Sequence, residues 1–308
     1  MKSESKQIIF YKDILLIRKF EELVLNLFSK GKLSGTTHAY IGQEANAVGI
    51  IKNLTPDDKI FTNHRCHGHY LARTGDCKGL LCEMMGKKDG ICSGIGGSQH
   101  ICSANLFSNG VQGSFIPIAV GMAFSEKYNK TSNIITAFIG DGTLGEGTVY
   151  ESYNLMSLLN VPLLIVIENN QYAQTTHISK NLAGSIKKRS EAFGIKTTEL
   201  SSFNVFEINE KSKIIIEEIR KSKTPHVMIL NTYRFSAHSK GDDVRDKKEI
   251  EQYLKYDPVK LAGQDISEDI KNEIDKEVYE LLINALNFAE SSSFLEINKL
   301  NEIFRITE

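Results

Sequence analysis

A strand, a helix and a second strand are predicted in succession in the middle of the chain. The segments NIITAFI (133–139) and VPLLIVI (161–167) are short, β-branched and almost free of polar residues, and EGTVYESYNLMSLLN (146–160) between them has helical spacing. A unit of this size joins two parallel strands through a crossover helix. Because neither strand alternates with polar residues, both of its faces are expected to be buried. The chain is therefore predicted to contain a parallel sheet covered by helices on both sides.

The same alternation continues along the chain. Helices are predicted at 181–193 and 209–222, and strands near 203–208 and at 226–234. The fold class predicted from this pattern is α/β, with a doubly wound and mostly parallel sheet.

Helices are predicted at both ends of the chain. Residues 10–30 and 42–54 have apolar positions at helical spacing. A charged helix near the C-terminus has one apolar stripe, formed by Ile270, Ile274, Val278, Leu282 and Ala285. That stripe is expected to pack on the domain or on a partner.

One domain is predicted over residues 1–308. It would comprise a helical N-terminal arm (1–55), an α/β core (about 56–240) and a helical C-terminal segment (246–308). The glycine-rich stretch 86–113 fits no period and is predicted to be a long ordered loop, of the kind that usually serves function.

Composition argues against several classes of partner. The 37 basic and 38 acidic side chains give a net charge of -1, which offers no electrostatic basis for binding nucleic acid or a membrane surface. The run 161–167 is too short to span a bilayer, and the polar N-terminus does not resemble a signal peptide. Five cysteines without a C-x-x-C pair favour a reducing, cytoplasmic location.

Polar residues follow the two central strands. The first strand is followed by GDG (140–142), and the second by ENN (168–170). Ligands of open parallel sheets bind at the carboxyl ends of the strands. If the strands are neighbours, Asp141 and Asn170 lie side by side at that edge.

The segment GDGTLG (140–145) also matches the dinucleotide fingerprint, with Glu168 where a ribose-binding acid would lie. Asp141 would then face the pyrophosphate, a repulsion on the order of several kcal/mol even at an effective dielectric of about 20. A magnesium ion removes this conflict, because the Asp141 carboxylate and the Asn170 side-chain oxygen are suitable ligands. A metal-bound diphosphate is therefore favoured over a dinucleotide.

Two other interpretations concern single segments. His64, Cys66, His67 and His69 could suggest zinc, but their spacing matches no closed structural site. Asp141 could be only a helix N-cap. The asparagine at the end of the neighbouring strand makes the capping role insufficient.

The GDG and NN segments resemble the thiamine-diphosphate motif of the α subunits of 2-oxo acid dehydrogenase E1 components. Further blocks resemble that family in the same order, over roughly residues 10–260. They are HAYIGQEA (38–45), HRCHGH (64–69), GIGGSQH (94–100), NGVQG (109–113), ENNQYA (168–173) and YRFSAHS (233–239). The resemblance implies the diphosphate-binding domain of the thiamine-diphosphate-binding fold, and an α2β2 heterotetramer.

The resemblance also implies the cofactors thiamine diphosphate and Mg²⁺. By this resemblance the metal ligands are Asp141, Asn170 and the backbone carbonyl of Tyr172. The other cofactor-binding positions that it implies are His64, Arg65, Gly110, Gln112, Gly142, Thr143 and His238. His38 and His238 match active-site histidines, which makes them the candidates for catalysis.

The activity implied by the resemblance is oxidative decarboxylation of a 2-oxo acid such as pyruvate, or cleavage of acetoin, with acyl transfer to a lipoyl group on an E2 partner. His64 replaces the tyrosine of the family's pyruvate enzymes, so HRCHGH is more similar to acetoin dehydrogenases. A decarboxylase or transketolase-like half without a lipoyl acceptor, and a degenerate structural subunit, are the alternatives.

These enzymes activate the cofactor with a glutamate on a pyrimidine-binding domain, which is the β subunit in two-chain members. The residues after 260 are too few for such a domain. The chain alone is therefore predicted to be inactive without a β subunit.

Overall fold

A computed structural model describes residues 5–33, 35–239, 241 and 243–304. The ends of the predicted arms, residues 1–4 and 305–308, lie outside the described residues, as do positions 240 and 242 of the polar loop after Arg234. Among the described residues, no helix is both long and apolar enough to cross a bilayer.

Helices occupy much of the described chain. They are α1 (Lys6–Ser29), α2 (Glu44–Ile51), α3 (Cys66–Thr74), α4 (Cys77–Met84), α5 (Ile116–Tyr128), α6 (Gly147–Leu159), α7 (Ile186–Glu191), α8 (Val205–Ser222), α9 (Lys247–Leu254), α10 (Pro258–Ala262), α11 (Glu268–Ser291) and α12 (Ile297–Phe304).

The strands form one large sheet and one small hairpin. They are β1 (Lys59–Thr62), β2 (Cys102–Ser103), β3 (Leu106–Ser108), β4 (Ile135–Gly140), β5 (Leu163–Asn169), β6 (Tyr172–Ala173), β7 (Thr176–His177), β8 (Lys196–Leu200) and β9 (His226–Asn231). Over the described residues the large sheet has seven strands in the order β2-β3-β1-β4-β5-β9-β8, and β6 pairs with β7. Only the β2–β3 pair of this sheet is antiparallel, so the α/β class with a mostly parallel sheet is confirmed.

The central strands are buried on both faces, as their uninterrupted apolar sequences predict. Phe138 and Val166 belong to a core shared with α1, α2, α4, α8 and α11, and Ile139 and Ile167 belong to a second core shared with α5 and α6. Each such side chain stabilises the fold by about 1.5–3 kcal/mol through burial. Helices therefore cover both sides of the sheet.

Two predictions from the pattern are wrong. The strand near 203–208 is absent; Asn204 instead caps α8 by accepting a hydrogen bond from the Phe206 amide at 2.8 Å. The strand of this region is β8, an edge strand whose polar, partly exposed sequence KTTEL has no apolar run. In the predicted stripe of α11, Ile270 is 37% exposed, whereas the other four residues are buried.

Several short elements were not predicted. β1, α3 and α4 lie between residues 59 and 84, and β2 and β3 lie within the predicted loop 86–113. Each has only two to nine residues, which is too short for a periodic pattern to be distinct. The predicted helix at 181–193 is also shorter, since α7 covers only Ile186–Glu191.

Candidate active site

A cavity of about 440 Å³ opens at the carboxyl ends of β4 and β5. These strands are neighbours, with Gly140 in register with Glu168, so the residues that follow them meet at one edge. All of the residues predicted for the site line this cavity. They are His38, His64, Arg65, Gly110, Gln112, Asp141, Gly142, Thr143, Asn170, Tyr172 and His238.

Asp141 follows β4 directly and is 1% exposed. It begins a 3-10 turn (Asp141–Gly145) that separates the strand from α6 and occupies the gap between the predicted strand and the predicted helix. Its Oδ2 atom is buried and has no hydrogen-bond partner in the described part of the chain. Burial raises the pKa of Asp141 to about 6, although the backbone amides of Asp141 and Gly142 oppose that shift. A buried carboxylate oxygen in this state is suited to a cation.

Asn170 has a defined amide orientation. Its Oδ1 accepts a hydrogen bond from the Tyr172 amide at 3.1 Å, and its Nδ2 donates to Gln43 Oε1 at 2.9 Å. An amide oxygen has two acceptor sites, so Oδ1 can also bind a ligand. Asp141, Asn170 and the Tyr172 carbonyl thus supply the type of oxygen atoms that Mg²⁺ prefers. Gln43, which orients Asn170, was not predicted, although it lies in the HAYIGQEA block.

Gly142 is required by packing. A Cβ atom at this position would lie 2.7 Å from Ala173 Cβ in the β6–β7 hairpin. The glycine therefore permits close contact between the turn after β4 and the hairpin that carries Tyr172, a packing role that the sequence did not indicate.

Two arginines face the cavity region from different parts of the chain. Arg65 is 4% exposed and donates to the Ala39 carbonyl at 2.7 Å and to the His238 carbonyl at 3.3 Å. Burial, together with the positive charge of Arg234, lowers the pKa of Arg65 to about 9. Two buried guanidinium groups that repel each other favour an anion between or beside them. Arg234 was not predicted, although it lies in the YRFSAHS block.

Three imidazole rings cluster in the cavity. The ring centroids lie 4.5 Å apart for His38 and His64, 4.6 Å for His38 and His238, and 5.4 Å for His64 and His238. Arg65 Nη2 lies 3.0 Å and Arg234 Nη1 lies 3.3 Å from His238 Nδ1. Burial and the charge of Arg65 lower the pKa of His64 well below its usual value. This positive field disfavours a cation between the rings, although one nitrogen from each lies within 4.8 Å of the others.

The HRCHGH residues considered for zinc do not converge. His67 lies between Glu21 Oε2 (3.2 Å) and the Ser98 carbonyl (3.1 Å), and His69 Nδ1 lies 2.9 Å from Thr62 Oγ1. Both are fully buried side chains in the hydrogen-bond network of the interior. Of these histidines, His64 is the one that lines the cavity.

A carboxylate organises the glycine-rich loop that forms part of the cavity wall. Glu83 is fully buried at the end of α4, and its two oxygens accept four backbone hydrogen bonds from this loop. The donors are the amides of Cys92 (2.6 Å), Gly94 (2.9 Å), Gly96 (2.6 Å) and Gly97 (3.1 Å). This loop is therefore ordered by the hydrogen bonds of one carboxyl side chain, a role that the sequence pattern did not indicate.

A second acid, Glu168, lies inside the cavity wall. It accepts hydrogen bonds from the Tyr40 hydroxyl and from Asn46 Nδ2 (3.1 Å), and burial raises its pKa to about 7. The sequence pattern indicated Glu168, near the end of β5, only as a possible ribose-binding position. The remaining lining residues that sequence reasoning did not assign include Asn63, Gln99, Glu146 and Gln174.

Comparison with known proteins places this chain in a family. The family described as dehydrogenase E1 component matches residues 12–298. The pyruvate dehydrogenase E1 component subunit alpha of Rickettsia bellii is 36% identical over 296 residues, which cover 92% of this chain and 90% of that protein. The corresponding subunit of Rhizobium meliloti is 32% identical over 303 residues, which cover 94% and 87%.

A solved structure agrees at the level of the fold. A transketolase from Leishmania mexicana superposes with a TM-score of 0.58 at 18% sequence identity, over 94% of this chain. The chain spans about half of that transketolase, 47% of its length. The resemblance found in the motif blocks is confirmed by the family match and the two relatives, and the chain belongs to the dehydrogenase E1 component family, among the α subunits.

Proposed function

We propose that this chain is the α subunit of a thiamine-diphosphate-dependent pyruvate dehydrogenase E1, and that it has the thiamine-diphosphate-binding fold. The observation that carries the proposal is the buried Asp141 Oδ2, which has no hydrogen-bond partner among the described residues and lies at the strand end next to Asn170. A divalent cation with a diphosphate satisfies this oxygen, and Arg65 faces the same cavity.

The residues present fit both cofactors. Asp141, Asn170 Oδ1 and the Tyr172 carbonyl would hold Mg²⁺, and Arg65, Gly142 and Thr143 would hold the diphosphate. Bound thiamine diphosphate supplies the electron sink for the loss of carbon dioxide from the 2-oxo acid. The protein contributes position, charge and the exclusion of water.

His38 and His238 are the residues proposed to move protons and to stabilise the developing oxyanion. They lie 4.6 Å apart between ring centroids, and Arg65 and Arg234 donate toward His238 Nδ1. A donated hydrogen bond at Nδ1 leaves the proton of the neutral ring on Nε2. His238 is thus arranged to donate from Nε2.

Pyruvate is the proposed substrate because the relatives are named for it. Acetoin is a second candidate, favoured by His64, which stands where the family's pyruvate enzymes have tyrosine. A comparison of pyruvate and acetoin as substrates of the same complex, with a lipoyl acceptor, decides between the two. Turnover without any lipoyl acceptor would instead support a simple decarboxylase.

A β subunit and a lipoyl-bearing E2 are proposed as partners, because the relatives are named subunit alpha of an E1 component. The neighbouring helices α5 and α6 support a protein partner, since they expose a set of large apolar side chains. These are Ile118, Phe124, Tyr128, Leu155 and Leu158, with Tyr128 77% and Leu158 72% exposed. Large exposed apolar surfaces often mark protein interaction sites.

A cytoplasmic location belongs to the same proposal and rests on five free cysteines.

Calorimetric titration tests the function. Thiamine diphosphate with Mg²⁺ is titrated into the chain co-expressed with its β subunit, and the same titration is repeated without metal and with Asp141→Ala. Binding that requires the metal and is lost in the variant is expected. Absence of binding to the wild-type complex would contradict the cofactor assignment and favour a structural role.

A further inference from the structure

The side-chain amide of Gln112 has an orientation that is determined without reference to any ligand. Thr143 Oγ1 donates to Gln112 Oε1 at 3.3 Å, and Gln112 Nε2 lies 3.0 Å from the Gly110 carbonyl oxygen. A carbonyl oxygen only accepts hydrogen bonds. The opposite orientation would place two oxygens against each other, so the amide nitrogen must face Gly110.

The same nitrogen lies 2.8 Å from His64 Nδ1. Because Gln112 Nε2 is a donor, His64 Nδ1 must accept, and a neutral imidazole then carries its proton on Nε2. The titratable and charged groups that face this ring are Arg65, His38, His238 and Arg234, and each of them opposes a positive charge on it. Burial acts in the same direction. The ring is therefore neutral.

His64 Nε2 has no hydrogen-bond partner within residues 5–33, 35–239, 241 and 243–304, although the atom is buried. The residue lines the cavity together with Asp141 and Thr143. An N–H donor that is removed from water without an acceptor destabilises the protein. An oxygen atom of a bound molecule would satisfy this donor.

We propose that Gln112 is a positioning residue that holds His64 in the Nε2–H tautomer and thereby makes this ring a fixed hydrogen-bond donor to an oxygen of the bound ligand. The identity of that ligand rests on the proposed function. A diphosphate oxygen and an oxygen next to the reacting carbonyl of the substrate are both acceptors of the required kind. Proton transfer is then left to His38 and His238, since His64 does not change its protonation state.

The tautomer can be measured without a ligand. In the full chain with ¹⁵N-labelled histidine, the His64 signals are assigned by their loss in His64→Gln, and Nδ1 is expected to show the chemical shift of an unprotonated acceptor at neutral pH. Gln112→Glu places an acceptor at Nδ1, so the proton is expected to move there. Gln99→Met is the matched control, because Gln99 lines the same cavity and bonds to Thr36; it should leave the tautomer unchanged. A protonated Nδ1 in the wild type would overturn the proposal.

Kinetics in the complex with the β subunit test the consequence. Gln112→Glu is expected to lower kcat/KM at neutral pH by about tenfold, the effect of one hydrogen bond. It should also add an ionisation in which activity falls as the pH rises, because the deprotonated ring keeps its proton on Nδ1 and Nε2 no longer donates. His64→Phe locates the acceptor: a KM for thiamine diphosphate raised by about tenfold indicates the diphosphate, and a substrate KM raised by about tenfold indicates the substrate. If neither KM changes, the donor role proposed for His64 is overturned.

The two proposals fail separately. If the wild-type complex binds no thiamine diphosphate, the proposed function fails while the tautomer measurement stands. If the cofactor binds but His64 shows the other tautomer, the role of Gln112 fails and the proposed function stands.

Discussion

The two ends of the parallel sheet hold buried aspartates in opposite ways. At the amino end Asp58 precedes β1 and is fully buried; it accepts hydrogen bonds from Arg220 Nη2 (2.6 Å), Arg220 Nη1 (3.0 Å), the Thr55 amide (2.7 Å) and the Ile134 amide (2.8 Å). At the carboxyl end Asp141 Oδ2 has no hydrogen-bond partner in the described chain. The Asp58 carboxylate finds all of these partners within the protein and stabilises it. The Asp141 carboxylate has an oxygen that is available to a ligand.

The largest effect is expected from Asp141→Asn. The amide keeps the shape of the side chain but loses the negative charge, so affinity for Mg²⁺ and thiamine diphosphate should fall by at least about a hundredfold, since even residues that only support a metal ligand contribute about 10–100-fold. Calorimetry on the complex with β measures this. Asp58→Asn is the matched control at the other end of the sheet and should bind normally. An Asp141→Asn affinity within twofold of the wild type would remove the contrast between the two ends.

Asp58→Asn should instead lower the stability of the chain. Arg220 loses its charged partner while its side chain is 22% exposed, so the expected loss is about 3 kcal/mol of unfolding free energy, the lower end of the range for a broken buried pair. Denaturant unfolding of the ligand-free chain measures the change. A loss of less than about 1 kcal/mol would show that the amino end does not depend on this pair.

The two aspartates should also respond to pH with opposite sign. Burial alone would raise the pKa of Asp58, but hydrogen bonds from Arg220, Ile134 and Thr55 hold it below its usual value. Its stabilising contribution is therefore present above about pH 4 and is lost as the pH falls further. Burial raises the pKa of Asp141 to about 6. The native state therefore keeps this proton to a higher pH than the unfolded state does, and stability falls as the pH rises from about 4 to 6.

In the ligand-free chain, Asp141→Asn should consequently be more stable than the wild type at pH 7, by at most about 3 kcal/mol, and equal to it near pH 4. Unfolding free energies at pH 4, 5.5 and 7 test this expectation. A variant less stable than the wild type at pH 7 would mean that Asp141 is already compensated inside the protein.

The smallest effect is expected at an exposed pair. Lys196 and Glu218 are 2.6 Å apart, with side chains 61% and 42% exposed. Glu218→Gln should change stability by less than about 0.5 kcal/mol, since solvent screens such pairs. A loss comparable to that of Asp58→Asn would show that charge removal, rather than burial, accounts for the difference between the sites.

Local chemistry was sufficient to predict the centre of this molecule. β4 and β5 are short, β-branched, continuous apolar runs, which are typical of parallel strands buried on both faces. Adjacent parallel strands bring their carboxyl ends to one edge, so the meeting of Asp141 and Asn170 followed from their positions alone. The negative charge of Asp141, which would repel a pyrophosphate, distinguished GDGTLG from a dinucleotide-binding fingerprint.

Other features depend on residues that are distant in the chain. β8 lies at an edge and is half exposed, so it has no apolar signature, and the predicted strand near 203–208 proved to be the start of a helix. Glu83 orders the glycine-rich loop through four amides whose positions no periodicity reveals. The tautomer of His64 depends on Gln112, which is 48 positions away. Hydrogen bonds of this kind are decided by three-dimensional contact, whereas strand burial is decided by composition along the chain.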